Sequence, residues 1–176
     1  MSSFAEIYDR LTLKIEIIMS FTHLDSSGNP SMVDVGKKTP SARVARARSI
    51  MILGEEIMSK LEDGELSMPK GPVFQTAIIA GIMASKKTGE LIPLCHPIGM
   101  DNCEIDIRVN TEREVVIDCT ASIFAKTGVE MEALMGASIA ALTIYDMCKA
   151  LSHDIRIKET RLMEKRGGKR DFLRKE

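Results

Sequence analysis

The chain has 176 residues, with 24 basic and 25 acidic side chains and a formal net charge of -1. That length fits one domain with a proper core, and a surface of evenly mixed sign argues against a general nucleic-acid or anionic-membrane binder. Aromatic residues make up 4% of the chain and Trp is absent, so base-stacking platforms are not expected either.

The four cysteines (Cys95, Cys103, Cys119, Cys148) form no C-x-x-C, and there are only three histidines, which argues against a zinc cage. Scattered thiols without a signal peptide point to the reducing cytoplasm. No apolar run reaches the ~20 residues a membrane span needs. Twelve methionines suggest a core filled by flexible side chains.

Residues 4–19 carry Phe4, Ile7, Tyr8, Leu11, Ile15 and Ile18 at helical spacing and end before the turn-rich Asp25–Pro30. They read as an N-terminal extension, residues 1–30, appended to a single α+β domain over residues 31–176. Met32–Val35 reads as a short strand, followed by the basic loop Gly36-Lys37-Lys38. Thr39 as N-cap and Pro40 at the first helical position predict a helix to about residue 62, with Val44, Ala47, Met51, Gly54, Met58 and Leu61 on one face. Arg43 and Arg46 near its start are either a solvated pair or cations awaiting an anion.

Asp63-Gly64-Glu65 is a turn, and Val73–Lys87 is an apolar helix. Lys70, just ahead of it between Pro69 and Pro72, is either a loop lysine or a rigidly presented cation. Leu91–Pro97 is apolar and, with two prolines, extended rather than helical. Its His96 is either a core histidine or an imidazole aimed at hydrogen bonding and proton transfer. Cys103–Val109 alternates strictly, and the turn Asn110–Glu114 links it to Val115–Ile123 as a hairpin.

Thr127–Lys149 is the longest helical pattern. Thr127 and Glu130 spell a capping box, and Gly136, Ala137, Ser138, Ala140 and Ala141 keep its middle thin. Asp146 faces the negative end of the helix dipole, and its natural partner is Lys149, one turn on. The pair reads as an ordinary ion pair or as an acid–base pair. Asp154–Leu162 is a last strand with Ile155 and Ile157 inward, running into the basic Glu164–Arg170. Gly167 and Gly168 there either let the backbone approach a phosphate or belong to a frayed tail. The order of elements gives an α+β domain with helices stacked on one face of an antiparallel sheet.

An acid–base pair, a proline-clamped imidazole and dispersed cations suit a small polyanionic substrate undergoing proton transfer. Several stretches also resemble a known family. They are Met32–Val35, Lys70–Phe74, Leu91–Pro97, Lys126–Leu134 and Leu142–Ala150, which are similar to the cyclic pyranopterin monophosphate synthases, the molybdenum-cofactor biosynthesis protein C family. The similarity runs from about Phe21 to Phe172, so the first 18 residues precede the usual start.

The resemblance implies a ferredoxin-like two-layer sandwich assembled as a homohexamer, a trimer of dimers, with active sites at the dimer interface. It implies conversion of 3′,8-cyclo-7,8-dihydroguanosine 5′-triphosphate, made by a radical SAM GTP cyclase, to cyclic pyranopterin monophosphate and pyrophosphate. By the same resemblance Asp146, Lys149 and Lys70 are catalytic, and Leu94, Cys95, His96, Met131, Glu132, Lys165 and Arg43 contact substrate. No tightly bound cofactor is expected; Mg2+ can accompany the triphosphate, but no acidic cluster announces a dedicated site. The expectation is that Lys70, His96, Asp146 and Lys149 converge on one cavity, with burial drawing the lysine and aspartate pKa values toward neutrality. The competing reading is a non-catalytic nucleotide- or pterin-binding module on the same scaffold.

Overall fold

A computed structural model describes residue 25 and residues 27–175. The helix expected over residues 4–19 lies outside the described residues. Among those described, β1 (Ser41–Ile52) is followed by the single-turn helix α1 (Glu55–Met58) and a small three-stranded sheet, β2 (Leu61–Glu62), β3 (Glu65–Met68) and β4 (Gly71–Pro72). Helices α2 (Val73–Ser85) and α3 (Thr88–Leu91) lead to the hairpin of β5 (Asn102–Val109) and β6 (Val115–Ala125). Helix α4 (Glu130–Cys148), β7 (Arg156–Arg166) and β8 (Phe172–Leu173) complete the chain.

The main sheet is antiparallel, in the order β5-β6-β1-β7-β8. Leaving out the small sheet, the short helices and β8, the connectivity is βαββαβ with the first strand central, which is consistent with a ferredoxin-like sandwich. Helices α2 and α4 cover one face.

The segment expected as a helix from Thr39 to about residue 62 is instead the central strand, with only Glu55–Met58 helical. Its side chains fit both periods. Val44, Ala47 and Met51 recur at helical spacing, yet Ala45, Ala47, Ser49 and Met51 are all buried at alternate positions. The opposite face carries Arg46 and Arg48, and both reach Asp118 of β6, Arg48 through two bonds of 2.9 Å. Arg108 of β5 joins the same carboxylate at 2.8 Å. Strand pairing on both sides and this carboxylate outweigh the helix-start signal of Thr39-Pro40, because neither is visible locally.

Asp63 and Gly64, with φ of 50° and 79°, make the two-residue turn that a tight hairpin requires. Glu65 then accepts bonds from the Phe74 and Gln75 amides, at 2.7 and 3.1 Å, and so caps α2 from outside. Met32–Val35 forms no strand. The Val33 carbonyl, which a strand partner would take, is bonded by the His96 ring at 2.8 Å.

The hairpin and α2 lie where expected, while β6 runs to Ala125 and so carries the exposed Phe124. Leu91 closes the single turn α3, and the rest of Leu91–Pro97 is non-helical. Helix α4 starts at Glu130 after Val129, and no side-chain cap bond forms. The capping box is absent because the Glu130 carboxylate is paired with Lys165 at 3.1 Å instead. By length and composition α4 passes for a membrane span, contrary to the expectation from apolar runs, but it packs as a core helix against α2 and the sheet. Gly136 makes this possible. A Cβ there would sit 2.5 Å from both the Cys119 sulfur and the Ser85 hydroxyl.

The last strand begins at Arg156 and extends to Arg166, past the expected end at Leu162. Ile155 is buried, but Ile157 is exposed. The basic stretch is not a frayed tail. The chain turns at Gly167, which lies so close to the Ala42 carbonyl that a Cβ would collide with it, and returns as β8 beside β7.

Candidate active site

Helix α4 carries two clusters of functional side chains, one at each end. At its C-terminal end Asp146 is held between two lysines. Lys149 meets one carboxylate oxygen at 2.8 Å and Lys70 the other at 2.9 Å. Lys70 arrives from the bend between β3 and β4 and also donates to the Asp146 carbonyl, at 3.3 Å. A carboxylate is unfavourable at the negative end of a helix, and two ammonium groups compensate it. Lys149 was legible as the partner one turn on, and Lys70, seventy-six residues away, was expected near Asp146 through the family resemblance rather than from any local pattern.

The electrostatics of this cluster run against the expectation of near-neutral pKa values. Hydrogen bonds from Lys149 and then Lys70 hold the Asp146 carboxyl down at about 2, and Asp146 in turn raises the Lys149 ammonium. The three side chains are 55%, 54% and 50% exposed for Lys70, Asp146 and Lys149, so in the single chain desolvation opposes the pairing less than the hydrogen bonds favour it. Asp146 is therefore an anchor that aims two protonated amines.

At the N-terminal end of α4 an open cavity of about 530 Å³ is lined by Leu94, Cys95 and His96, by Met131 and Glu132, and by Lys165. Lys38 and Lys169 add further cations, and Glu130 lies between Lys165 and the cavity floor at Gly128. The His96 Nε2 faces a carbonyl that can only accept, so Nε2 carries a proton and the neutral ring would leave Nδ1 as the acceptor. Glu132 is buried, which pushes its carboxyl up, and burial together with the Glu132 charge pushes the Cys95 thiol up. The cavity thus offers a protonatable carboxyl, an imidazole and three lysines, a set suited to a polyanion bearing a heterocycle.

The sequence-derived site residues therefore fall into two groups, and within one chain they do not share a cavity. Fifteen residues of helix from Met131 to Asp146, at about 1.5 Å rise each, separate the two clusters by about 22 Å. Arg43 lines neither. Its Nε is buried without a partner, and its guanidinium lies against the Gly168 turn beside the cavity's Lys169. Thr127, Gly128 and Glu130 were missed as lining residues, Glu130 because its position fits a helix cap equally well, whereas Lys169 belongs to the basic stretch read as an approach to a phosphate. The described residues gather no three carboxylate, imidazole or thiol groups into one ligand set.

The α+β sandwich thus carries an ammonium–carboxylate cluster at one end of its core helix and a cation-lined cavity at the other, groups of the kind that transfer protons on small anionic compounds. The MoaC family pattern matches residues 32–168, and the chain belongs to that family. It is 51% identical over 151 residues to the cyclic pyranopterin monophosphate synthase of Xanthomonas campestris pv. campestris strain B100, covering 86% of this chain and 92% of that protein. It is 52% identical, with the same coverage, to the protein of that name from Xanthomonas oryzae pv. oryzae. A molybdenum cofactor biosynthesis bifunctional protein of Synechocystis is 50% identical over 155 residues; the match takes up 86% of this chain and 45% of that protein.

Proposed function

We propose that this chain is a lyase of molybdenum-cofactor biosynthesis, a cyclic pyranopterin monophosphate synthase acting on 3′,8-cyclo-7,8-dihydroguanosine 5′-triphosphate and releasing pyrophosphate. Family membership and the names of its relatives support the pathway and the class of reaction. The observation that carries the site is the placement of its two halves at opposite ends of α4. A working centre then needs the Asp146 cluster of one copy against the cavity of another, so the active unit is at least a dimer.

Exposed Ile79 and Met83 on α2 and Leu142 on α4 give the outer helical face apolar surface for contacts between copies. A trimer of dimers accommodates both kinds of contact. The cytoplasm, with its reduced thiols, suits four free cysteines. The triphosphate comes from a radical SAM GTP cyclase acting one step earlier.

In the assembled site the cavity binds the triphosphate and the heterocycle. Lys165, Lys38 and Lys169, with Arg43 at the Gly168 turn, neutralise the phosphates, and Glu132 accepts from the guanine-like ring edge. Magnesium is assigned to the substrate's phosphates. Lys70 and Lys149 deliver protons while the purine-derived ring is opened and rebuilt, and Asp146 fixes their direction. A sugar hydroxyl then attacks the α-phosphorus in line, and pyrophosphate leaves as its charge is met by the lysines. Incubation of the purified protein with the cyclic nucleotide tests the reading. Pyrophosphate and a fluorescent oxidised pterin are expected together; binding with neither product would leave a regulatory module instead.

A further inference from the structure

Beneath the first half of α4, outside the cavity lining, two thiols and a hydroxyl meet in an otherwise apolar layer. Cys103 of β5 lies opposite Ala121, and Cys119 of β6 opposite Ile105, so the two cysteines are diagonal neighbours on the helix-covered face. Their sulfurs are 3.8 Å apart. Ser85, the last residue of α2, stands over both. The Cys103 thiol donates to its oxygen at 3.6 Å, and the Cys119 sulfur lies 4.0 Å away.

The Ser85 hydroxyl donates onward to the Glu132 carbonyl, at 2.9 Å, in the first turn of α4. Around them are Ala45, Ala47, Ala121, Ala133 and Ala137, and Gly136 leaves the space that the Cys119 sulfur and Ser85 oxygen fill. Packing alone asks only for small apolar side chains here. Cys103 is half-buried, whereas Cys119 is fully buried, so one thiol is reachable and the other is shielded behind it.

We propose that Cys103 and Cys119 are a peroxide-responsive dithiol, and that its oxidation to a disulfide is transmitted through Ser85 to the first turn of α4. The Cys103 thiolate attacks one oxygen of hydrogen peroxide, the O–O bond breaks and water leaves, giving a sulfenic acid. The Cys119 sulfur, losing its proton, then displaces the sulfenic oxygen as a second water. Two thiols give up two electrons and two protons, and one peroxide becomes two waters. Cys103 is the first to react: the Cys119 thiol beside it draws its pKa down to about 6, while that contact and burial push Cys119 up.

Closing the bond draws the sulfurs to about 2.05 Å and removes the proton that Cys103 donates to Ser85. Ser85 is then free to reorient, and the Glu132 carbonyl loses a fixed donor. The cavity residues Met131 and Glu132 sit on that turn.

The test treats the reduced full-length protein with stoichiometric hydrogen peroxide, traps remaining thiols by alkylation and maps the unreduced peptides. A Cys103–Cys119 linked pair, lighter by two hydrogens and reversed by dithiothreitol, is expected. Several-fold faster amide exchange over residues 132–134 should accompany it. Cys103→Ser, at a half-buried position, should retain the far-UV spectrum and lose the linkage. Sulfinic acid on Cys103 with Cys119 still a free thiol, or a disulfide through Cys95 or Cys148, overturns the proposal. A linked pair with unchanged exchange overturns the transmission through Ser85. The wild-type measurements stand whether or not the variant folds, and none depends on the activity proposed above.

Discussion

Lys70 and Asp146 meet at 2.9 Å across seventy-six residues of sequence, so a lysine from a bend in the small sheet shares one carboxylate with a lysine of the core helix's own end. The arrangement fixes two ammonium groups on one anion at a surface that a single chain leaves open. Removing that anion should leave the lysines charged but undirected. Asp146→Asn is expected to keep the assembly, read by sedimentation, and to lower pyrophosphate release by about 10²–10⁴-fold, the range of a lost acid–base contribution.

The depressed pKa of Asp146 gives a sign for pH dependence. A carboxylate whose folded pKa lies below its free value stabilises the fold above the free value, and the contribution is lost as pH falls through the folded one. For Asp146 these are 3.8 and about 2. A carboxyl NMR titration of the isolated chain should therefore place its midpoint near 2. The Tm difference between wild type and Asp146→Asn should be constant from neutral pH down to the free value and shrink below it. An acid limb of activity above that range then belongs to another group, and Glu132, whose carboxyl burial pushes up, is the candidate in the cavity.

On the open face of the sheet Asp118 is the common acceptor for Arg46, Arg48 and Arg108, and it is nearly buried. The net effect of Arg48 and Arg108 is to hold its carboxyl low despite burial. Asp118→Asn replaces the carboxylate shared by Arg46, Arg48 and Arg108 with a neutral amide, and the expected loss is about 1.5–3 kcal/mol in urea unfolding. Activity per folded molecule should not change, because the face is remote from both clusters.

Gly81 of α2 sits where the two long helices cross. A Cβ there would lie 2.7 Å from the Gly136 carbonyl and 2.4 Å from the Ile105 Cδ1. Alanine favours a helix over glycine by about 1 kcal/mol, but overpacking against backbone costs about 1–3 kcal/mol. Gly81→Ala is expected to lower the denaturation midpoint with an unchanged m-value.

Elements whose partner lies next to them in the chain were legible in the sequence. The β5–β6 hairpin follows from strict alternation and a polar turn, and α2 and α4 from long runs without internal proline. β1 was not, because Ala-Arg alternation fits a helix face as well as a strand, and the deciding contacts come from Asp118 and β7 far along the chain. The capping box failed for the same reason, since Glu130 had a distant partner in Lys165.

The site motifs were each readable, Asp146 from its conflict with the helix dipole and His96 from its prolines. Their separation was also encoded, as the length of α4 between Met131 and Asp146. On the proposed reading, the face that closes one cluster over the other comes from a second chain.

The most direct test of that closure mixes two inactive variants. Asp146→Asn retains the cavity, and the double variant His96→Ala, Lys165→Ala retains the lysine–aspartate cluster. Assemblies formed by co-expressing both should hold wild-type centres at about a quarter of their sites by random pairing across a two-fold interface. Pyrophosphate release by such mixtures at about a quarter of the wild-type rate is the predicted result. Mixed assemblies as inactive as either parent would contradict a centre built from opposite ends of α4 in two chains.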